Sequence, residues 1–196
     1  MQGFSIGRYL RYAAMTFFKP VTLIRGFVQE CTLLYGGVQS LITLVPYELA
    51  YLHGYLTHPG APSPNPFPKI LPIPDKTYAL YQVFFAPLVN VADYLVLLGV
   101  IVALFKLLRC KKFSIMKILN FSMFTGNVFS LLVLGIDVSP LNWNWKPWIH
   151  PMAALIGLVY LIEFIHQLAE IPRWKLIAVS LPSVMAFLIF RALFLR

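Results

Sequence analysis

Charged residues are scarce in this sequence. Only 12% of its 196 residues are Asp, Glu, Lys or Arg, and only seven residues are acids. Soluble domains usually carry about 25% charged residues. Hydrophobic residues instead make up 59% of the chain. A soluble fold of this length has too little interior to bury that much apolar surface, whereas a bilayer lets apolar faces contact lipid. The composition therefore excludes an ordinary soluble domain and predicts a single membrane domain.

Cysteines and catalytic motifs are also missing or few. Cys31 and Cys110 are the only cysteines, and neither belongs to a CxxC pair. This pattern excludes a disulfide framework and a cysteine-based zinc site. The sequence contains no GxSxG, Walker, HExxH or GxGxxG motif, so we expect no enzyme activity and no cofactor. The first residues lack an apolar core followed by a small-residue cleavage site, so no cleavable signal peptide is expected.

Long apolar stretches are abundant. About 20 apolar residues cross a bilayer as a helix, and five stretches approach or exceed that length: residues 33–56, 79–108, 116–136, 148–169 and 176–195. Residues 57–78 are rich in proline, which predicts an extended external loop. Residues 1–31 contain shorter amphipathic segments, with a break at Lys19-Pro20. The predicted fold is an all-α polytopic membrane bundle of about five transmembrane helices with N-terminal interfacial helices.

Positive charge dominates the ionisable residues, with a formal net charge of +9. The basic residues are spread between the apolar stretches instead of along one face, which favours contact with the lipid bilayer over nucleic acid. We expect head-group contacts at Arg8, Arg11, Lys19, Arg25, Arg109, Lys111 and Lys112. Tryptophan favours membrane interfaces, and the expected interface anchors are Trp143, Trp145, Trp148 and Trp174.

The distribution of Lys and Arg also predicts an orientation. If five helices cross the membrane with the N-terminus inside, eleven of the 16 basic residues fall on the cytoplasmic side. The positive-inside rule then places the N-terminus in the cytoplasm and the C-terminus on the opposite side. We expect an inner or plasma membrane location.

Five polar residues within the apolar stretches are candidates for function, because such groups are costly in a membrane. They are Glu48, Asp93, Asn127, Glu163 and His166. Asp93 is expected to have a hydrogen-bond partner, such as Asn127 or Glu48, or to serve in transport. Glu48 follows Pro46, a pattern typical of a kink with a polar neighbour or of a broken-helix binding site.

Glu163 and His166 stand three residues apart and so share a helix face. One interpretation is a polar stripe that packs against neighbouring helices, and a second is a proton or substrate path. The Glu-x-x-His spacing also occurs in di-metal helical bundles, but those sites need two copies and the chain has one. Small residues at helix-packing spacing, beginning with Gly36-Gly37, predict close helix contacts.

Three segments resemble a known family. They are FFKPVTLIRGF before the first apolar stretch, KKFSIMKILNFSMFTGNVFSLLV in the middle, and LIEFIHQLAEIPRWKLIAVSLPSVMAFLIF with its Leu181-Pro182 pair. The chain is similar to the Ypt-interacting-protein (Yip) domain family, prokaryotic type. The resemblance implies five membrane helices and a cytoplasmic N-terminus. The Asp-Leu-Tyr-Gly-Pro signature of eukaryotic members is absent, so their GTPase partners do not carry over.

Three functions follow as hypotheses. The first is a non-enzymatic membrane scaffold or accessory protein that associates with other membrane proteins or with itself. The second is a small transporter or channel that uses Glu48, Asp93 and Glu163. The third is a membrane metalloprotein at Glu163 and His166.

Overall fold

The protein is all-helical. The computed structural model describes residues 4–30, 32–57, 114–139 and 146–178, together with isolated helical positions at 99, 103, 106 and 180, and no strand occurs among them. Its main helices are α1 (Ile6–Phe18), α2 (Pro20–Gln29), α3 (Leu34–Thr57), α4 (Ile115–Asp137) and α5 (Lys146–Ala169). A short helix at 173–178 follows α5. The predicted all-α class is confirmed.

Helices α1 and α2 meet at the Lys19-Pro20 pair. Ser5 caps the start of α1 by accepting a hydrogen bond from the Arg8 amide at 3.5 Å. The Lys19 amide donates to the Met15 carbonyl at 2.9 Å and ends that helix. Pro20 then opens α2, where its missing amide hydrogen costs nothing because first-turn amides have no acceptor within the helix. The break is therefore a direct consequence of the proline.

Two helices in the described ranges are long and apolar enough to cross a membrane. They comprise Ile115–Ile136 in α4 and Met152–Ala169 in α5. Helix α3 has 24 residues, but Gln39, Pro46 and Glu48 interrupt its apolar character. The predicted stretches at 57–78 and 79–108, and most of 176–195, lie outside the described residues. Within the described ranges, two helices therefore qualify as candidate membrane spans, and the five crossings that the sequence predicts stay a prediction.

The chain divides into two compact units. The first comprises Met1–Thr43 and Arg109–Ile177, and the second comprises Leu44–Leu108 and Ala178–Arg196. Most described side chains belong to the first unit. In it, α2 packs against α1, α4 and α5, and α4 packs against α5. The N-terminal helices are therefore part of the packed structure.

The core of the first unit is aromatic. Phe27 of α2 lies 5.1 Å from Phe124 and 5.5 Å from Phe121, ring centroid to centroid. Phe121 stacks on Phe164 of α5 at 4.3 Å with nearly parallel rings, and all four side chains are fully buried. Aromatic pairs at these separations add about 0.5–1.5 kcal/mol each beyond the burial of area. This cluster joins α2, α4 and α5.

Candidate functional site

A buried carboxylate lies at the C-terminal end of α2. Glu30 is 9% exposed, and its Oε1 accepts hydrogen bonds from Arg8 Nη1 at 3.1 Å and from the Tyr12 hydroxyl at 3.0 Å. Arg8 and Tyr12 are four residues apart on α1 and therefore project from one face. The three side chains fasten α1 to the end of α2.

The charges in this cluster are fixed by their surroundings. The hydrogen bond to the Glu30 carboxylate raises the pKa of the Arg8 guanidinium. Burial, and then the bond to Glu30, raises the pKa of the Tyr12 phenol. Arg8 thus remains a cation and Tyr12 a neutral donor. The structure pairs the Arg8 guanidinium with Glu30, and the lipid head-group contact that the sequence predicts for Arg8 stays a prediction.

An asparagine from α4 caps the start of α3. The Gly36 amide lies in the first turn of α3, where amides have no acceptor within the helix. It donates to Asn120 Oδ1 at 2.7 Å. A Cβ atom added to Gly36 would lie 2.6 Å from the Asn120 carbonyl oxygen and 3.0 Å from Met123 Cβ. At Gly36 helices α3 and α4 are so close that only glycine fits. The sequence predicted a close helix contact at this residue.

Further polar contacts continue this contact between α3 and α4. Asn127 Nδ2 donates to Ser40 Oγ at 2.9 Å and to the Met123 carbonyl at 2.7 Å, so both of its amide hydrogens are used. The Tyr9 hydroxyl of α1 donates to Gln39 Oε1. Asp93, the partner proposed for Asn127, lies outside the described residues. Asn127 therefore serves as a link between helices.

Two buried polar atoms beside Gly36 lack a hydrogen bond in the part of the chain that the structure describes. They are the Tyr35 hydroxyl oxygen and Asn120 Nδ2. An unpaired buried polar atom costs roughly 1–3 kcal/mol. Asn120 therefore gains a hydrogen bond through Oδ1, while its unpaired Nδ2 lowers the stability of the fold.

A bidentate ion pair links α5 to the connection that follows it. Arg173 donates to Glu163 from Nε at 2.7 Å and from Nη2 at 2.9 Å. Gln167, one turn along α5, donates to Glu163 Oε1 at 3.0 Å. The hydrogen bond to the Glu163 carboxylate raises the pKa of the Arg173 guanidinium. Both carboxylate oxygens of Glu163 therefore accept hydrogen bonds, Oε2 from Arg173 and Oε1 from Arg173 and Gln167.

The backbone of this connection reverses at Glu170, which has a φ of 59°. Its amide donates to the His166 carbonyl at 2.9 Å, the single bond of a left-handed helix ending. His166 in turn donates from Nδ1 to the Ile171 carbonyl at 2.6 Å. Glu163 and His166 therefore both bind the connection after α5.

No metal-binding group is present among the described residues, because no three His, Cys, Asp or Glu side chains converge there. Glu163 and His166, the residues proposed for a metal, are bound to Arg173 and to the Ile171 carbonyl. Nothing in the described geometry singles out metal chemistry at these two residues.

Glu48 lies in α3, within the second unit, and is half-buried. Within the described ranges its carboxylate has no hydrogen bond or ion pair. Pro46 stands inside the same helix and removes one backbone donor. His53, a turn further on, is exposed. Glu48 is therefore a half-buried acid beside a helix irregularity.

The remaining basic residues fall into two groups. Arg11, Lys19 and Arg25 are exposed on α1, at the break and on α2. Lys117, in the first turn of α4, donates to the Val28 carbonyl and so caps the C-terminal end of α2. The predicted head-group residues Arg109, Lys111 and Lys112 lie outside the described part of the chain.

Two of the four predicted interface tryptophans are described, and both are exposed. Trp148 is 67% exposed near the start of α5, and Trp174 is 66% exposed just beyond its end. Lys175 Nζ lies 5.4 Å from the centroid of the Trp174 ring, within the range of a cation–π contact. Trp143 and Trp145 lie outside the described residues. Exposed tryptophans thus flank both ends of α5.

Comparisons of this chain with models of known families, with curated proteins and with solved structures find no match. The resemblance to the Yip domain family consequently stays a prediction from the segments that carry it.

Sequence reasoning missed two of the residues that organise the first unit, Glu30 and Asn120. A signal was present for Glu30, because it is the only acid among the first 47 residues. Arg8 and Tyr12, one helical turn apart, are matching donors. For Asn120 no such signal exists, since its partner is a backbone amide 84 residues away.

Proposed function

We propose that the protein is a polytopic integral membrane protein with a non-enzymatic scaffold or accessory role. The observation that carries the membrane assignment is the exposed apolar face of α5. Of the stretch Met152–Ala169 only 11% is buried inside the protein. Its most exposed residues are Met152, Leu155, Ile156 and Val159, between 41% and 62% exposed. Their spacing of three and four residues makes one continuous face, which in water would be a strong aggregation liability.

The dimensions of α5 fit a bilayer. The 18 residues of Met152–Ala169 span about 27 Å at 1.5 Å per residue, close to the hydrocarbon thickness of about 30 Å. Trp148 precedes this stretch and Trp174 follows it, as tryptophans at the two interfaces do. Lipid around the face of Met152 and Val159 removes the exposed apolar surface from water.

The full architecture we propose is five crossings with the N-terminus in the cytoplasm and the C-terminus outside. The distribution of Lys and Arg supports this orientation, as does the resemblance to Yip-domain proteins. Helices α4 and α5 would be two of the five crossings, with 22 and 18 apolar-stretch residues. The Pro-rich residues 57–78 would face away from the cytoplasm.

The scaffold role is supported by how the described polar groups are used. Glu30, Asn120, Asn127 and Glu163 all bind other parts of the same chain. Each joins helices or closes a turn. A protein whose polar side chains fix helix positions suits assembly with other membrane proteins or with itself. We therefore propose membrane organisation as its role, similar to that of Yip-domain proteins.

The membrane assignment is tested by extraction and by reporter fusions. The full chain is expected to stay in the membrane pellet after alkaline carbonate treatment. A reporter at the N-terminus should be active in the cytoplasm, and one at the C-terminus outside. Release by carbonate would refute the membrane assignment, and two cytoplasmic ends would refute the five-crossing topology.

The scaffold role is tested by recovery of the protein from its native membrane in gentle detergent, followed by mass spectrometry. A reproducible partner, or a defined homo-oligomer, is the expected result. Deletion of residues 59–74 should remove the interaction, while a helical circular dichroism spectrum confirms folding. A monomer without partners in repeated preparations would contradict the scaffold role.

Transport is the second candidate, because Glu48 is half-buried and has no partner within the described ranges. An acid in that situation, beside Pro46 in α3, is a plausible ion or proton site. Glu48→Gln should abolish flux in proteoliposomes and leave the fold unchanged. Flux equal to that of the unsubstituted protein would exclude a transport role for this residue.

A further inference from the structure

Helix α1 has a buried face and a separate exposed apolar strip. Tyr12 and Thr16 lie on the face that is buried against the rest of the unit. In the exposed strip, Ile6, Leu10 and Phe17 are 70%, 61% and 47% exposed. At 3.6 residues per turn these three fall within about 40° of one another, and their mean direction lies about 120° from that of Tyr12 and Thr16. A helix of a soluble protein normally shows one apolar stripe and a polar outer face. The outer face of α1 is therefore built for an apolar surrounding.

The apolar exposure extends across the break between α1 and α2. Phe18, the last residue of α1, is 82% exposed, and Val21 in the first turn of α2 is 50% exposed. Lys19 lies between them. Phe18 makes no ring contact in the described part of the chain, whereas its neighbour Phe17 packs on Phe129 at 6.0 Å. The most exposed aromatic residue of the described chain is thus next to an exposed cation.

All exposed charges on these two helices are positive. Glu30 is the only acid in residues 1–47, and it is buried with Arg8 as its partner. The free cations are Arg11, Lys19 and Arg25. Arg11 shares a helix face with Phe18, seven residues on, and Arg25 shares one with Val21, four residues before. Each exposed cation therefore has an exposed apolar side chain beside it.

We propose that this N-terminal basic surface binds the head groups of anionic phospholipids. It is defined by the apolar residues Ile6, Leu10, Phe17, Phe18 and Val21 and the cations Arg11, Lys19 and Arg25. The apolar side chains enter the boundary between head groups and acyl chains, and the long basic side chains extend to the lipid phosphates. The inference rests on the proposed membrane location and adds a specific lipid class and three specific residues to it.

The charge pattern favours lipid over a protein partner as the occupant. An anionic leaflet presents negative charge at every position, and it matches a surface with three cations and no exposed acid. Ile6, Leu10 and Phe17 form a strip along α1, and Phe18 and Val21 continue the apolar exposure across the break, as in helices that insert at an interface. Arg8 is not counted in this surface, because its charge is paired with Glu30. The positive charge of this surface therefore comes from Arg11, Lys19 and Arg25, and the Arg8–Glu30 ion pair does not contribute to it.

The test measures lipid selection by the full-length protein. The purified protein in mild detergent receives equal amounts of phosphatidylglycerol and phosphatidylcholine, and native mass spectrometry counts the retained lipids. Phosphatidylglycerol should be preferred, and raised salt should weaken the preference. Each cation near an anionic surface contributes about 1 kcal/mol, or roughly fivefold in affinity. The triple variant Arg11→Gln, Lys19→Gln, Arg25→Gln should reduce the preference at least roughly tenfold.

The control is Lys76→Gln, a cation of the Pro-rich residues 57–78 that the proposed topology places on the other side of the membrane, and it should leave the preference unchanged. An unaltered preference in the triple variant, or an equal loss in the control, would overturn the proposal. If the triple variant does not fold, the single variants replace it, each with an expected roughly fivefold loss. Carbonate extraction of the same variants tests the membrane location separately from the lipid-binding surface. A variant that stays in the membrane pellet but has lost its preference for phosphatidylglycerol supports both proposals. A variant that stays in the pellet and keeps the full preference overturns the lipid-binding surface alone.

Discussion

Replacement of Gly36 by alanine is expected to separate α3 from α4, and its neighbour Gly37 provides the control. A methyl group at Gly36 would lie 2.6 Å from the Asn120 carbonyl oxygen and 3.1 Å from Asn120 Cα. These are backbone atoms of a helix, so they cannot rotate away as a side chain can. A Cβ at Gly37 meets no atom of the described chain within 4 Å.

The magnitude follows from comparing the two variants. Both gain about 1 kcal/mol in helix propensity when Gly becomes Ala, so this contribution cancels in the difference. Overpacking costs about 1–3 kcal/mol, and the Gly36 amide bond to Asn120, worth about 1 kcal/mol, is weakened as the helices move apart. Gly36→Ala should therefore be less stable than Gly37→Ala by about 2–4 kcal/mol. For a chain of this size that corresponds to a Tm difference of roughly 4–16 °C.

The assay is thermal unfolding of both variants in the same detergent, followed by circular dichroism. Gly37→Ala should melt at or above the temperature of the unsubstituted protein, and Gly36→Ala clearly below it. Equal melting temperatures for the two variants would refute the close approach of α3 and α4 at Gly36 and, with it, the role of Asn120 as a cap.

Three further predictions concern the N-terminal cluster and the connection after α5. Glu30→Gln removes the charged acceptor of Arg8 and Tyr12 and should lower the unfolding free energy by about 1–3 kcal/mol, measured by denaturant unfolding; no change would mean that the cluster is not formed. Because burial raises the pKa of Tyr12 in the folded protein, the unfolded chain loses this proton first, so stability should fall as the pH rises above about 10. A Tyr12→Phe variant should show a shallower decline, and an identical decline would contradict the prediction. Arg173→Gln should speed hydrogen exchange at 170–178 without moving the global Tm, and unchanged exchange would show that the pair with Glu163 does not hold the turn.

The sequence predicted where helices begin better than it predicted which residues contact each other between helices. Pro20 defined the start of α2 because its ring fixes φ and removes a donor that the position does not need. Gly36 was predicted as a packing residue from its spacing, but Gly37 was predicted equally, and a Cβ added there meets no atom of the described chain within 4 Å. A spacing rule identifies a helix face and does not show which small residue lies at the crossing. Which glycine lies at the crossing depends on the position and angle of α4, whose contacting residue Asn120 is 84 residues away in the sequence.

The partners of charged residues were predicted least well. Arg8 was predicted as a head-group contact because it belongs to a basic N-terminal segment, and composition did not reveal its ion pair with Glu30. Glu163 was recognised as a candidate, yet its partner Arg173 lies ten residues on, beyond a turn at Glu170. The geometry of that turn, a left-handed φ at a non-glycine residue, carries no signature in the sequence. Pairings across a turn or between distant helices therefore required the structure.

The cap on α3 also has a consequence for the order of synthesis. The Gly36 amide and the Asn120 side chain are 84 residues apart. Ribosomes add roughly 5–20 residues per second, so the start of α3 exists for roughly 4–17 s before its cap has been made. During that interval the first turn of α3 must leave its amide to water or to another protein. A chain interrupted between the two residues would leave the Gly36 amide without its Asn120 acceptor.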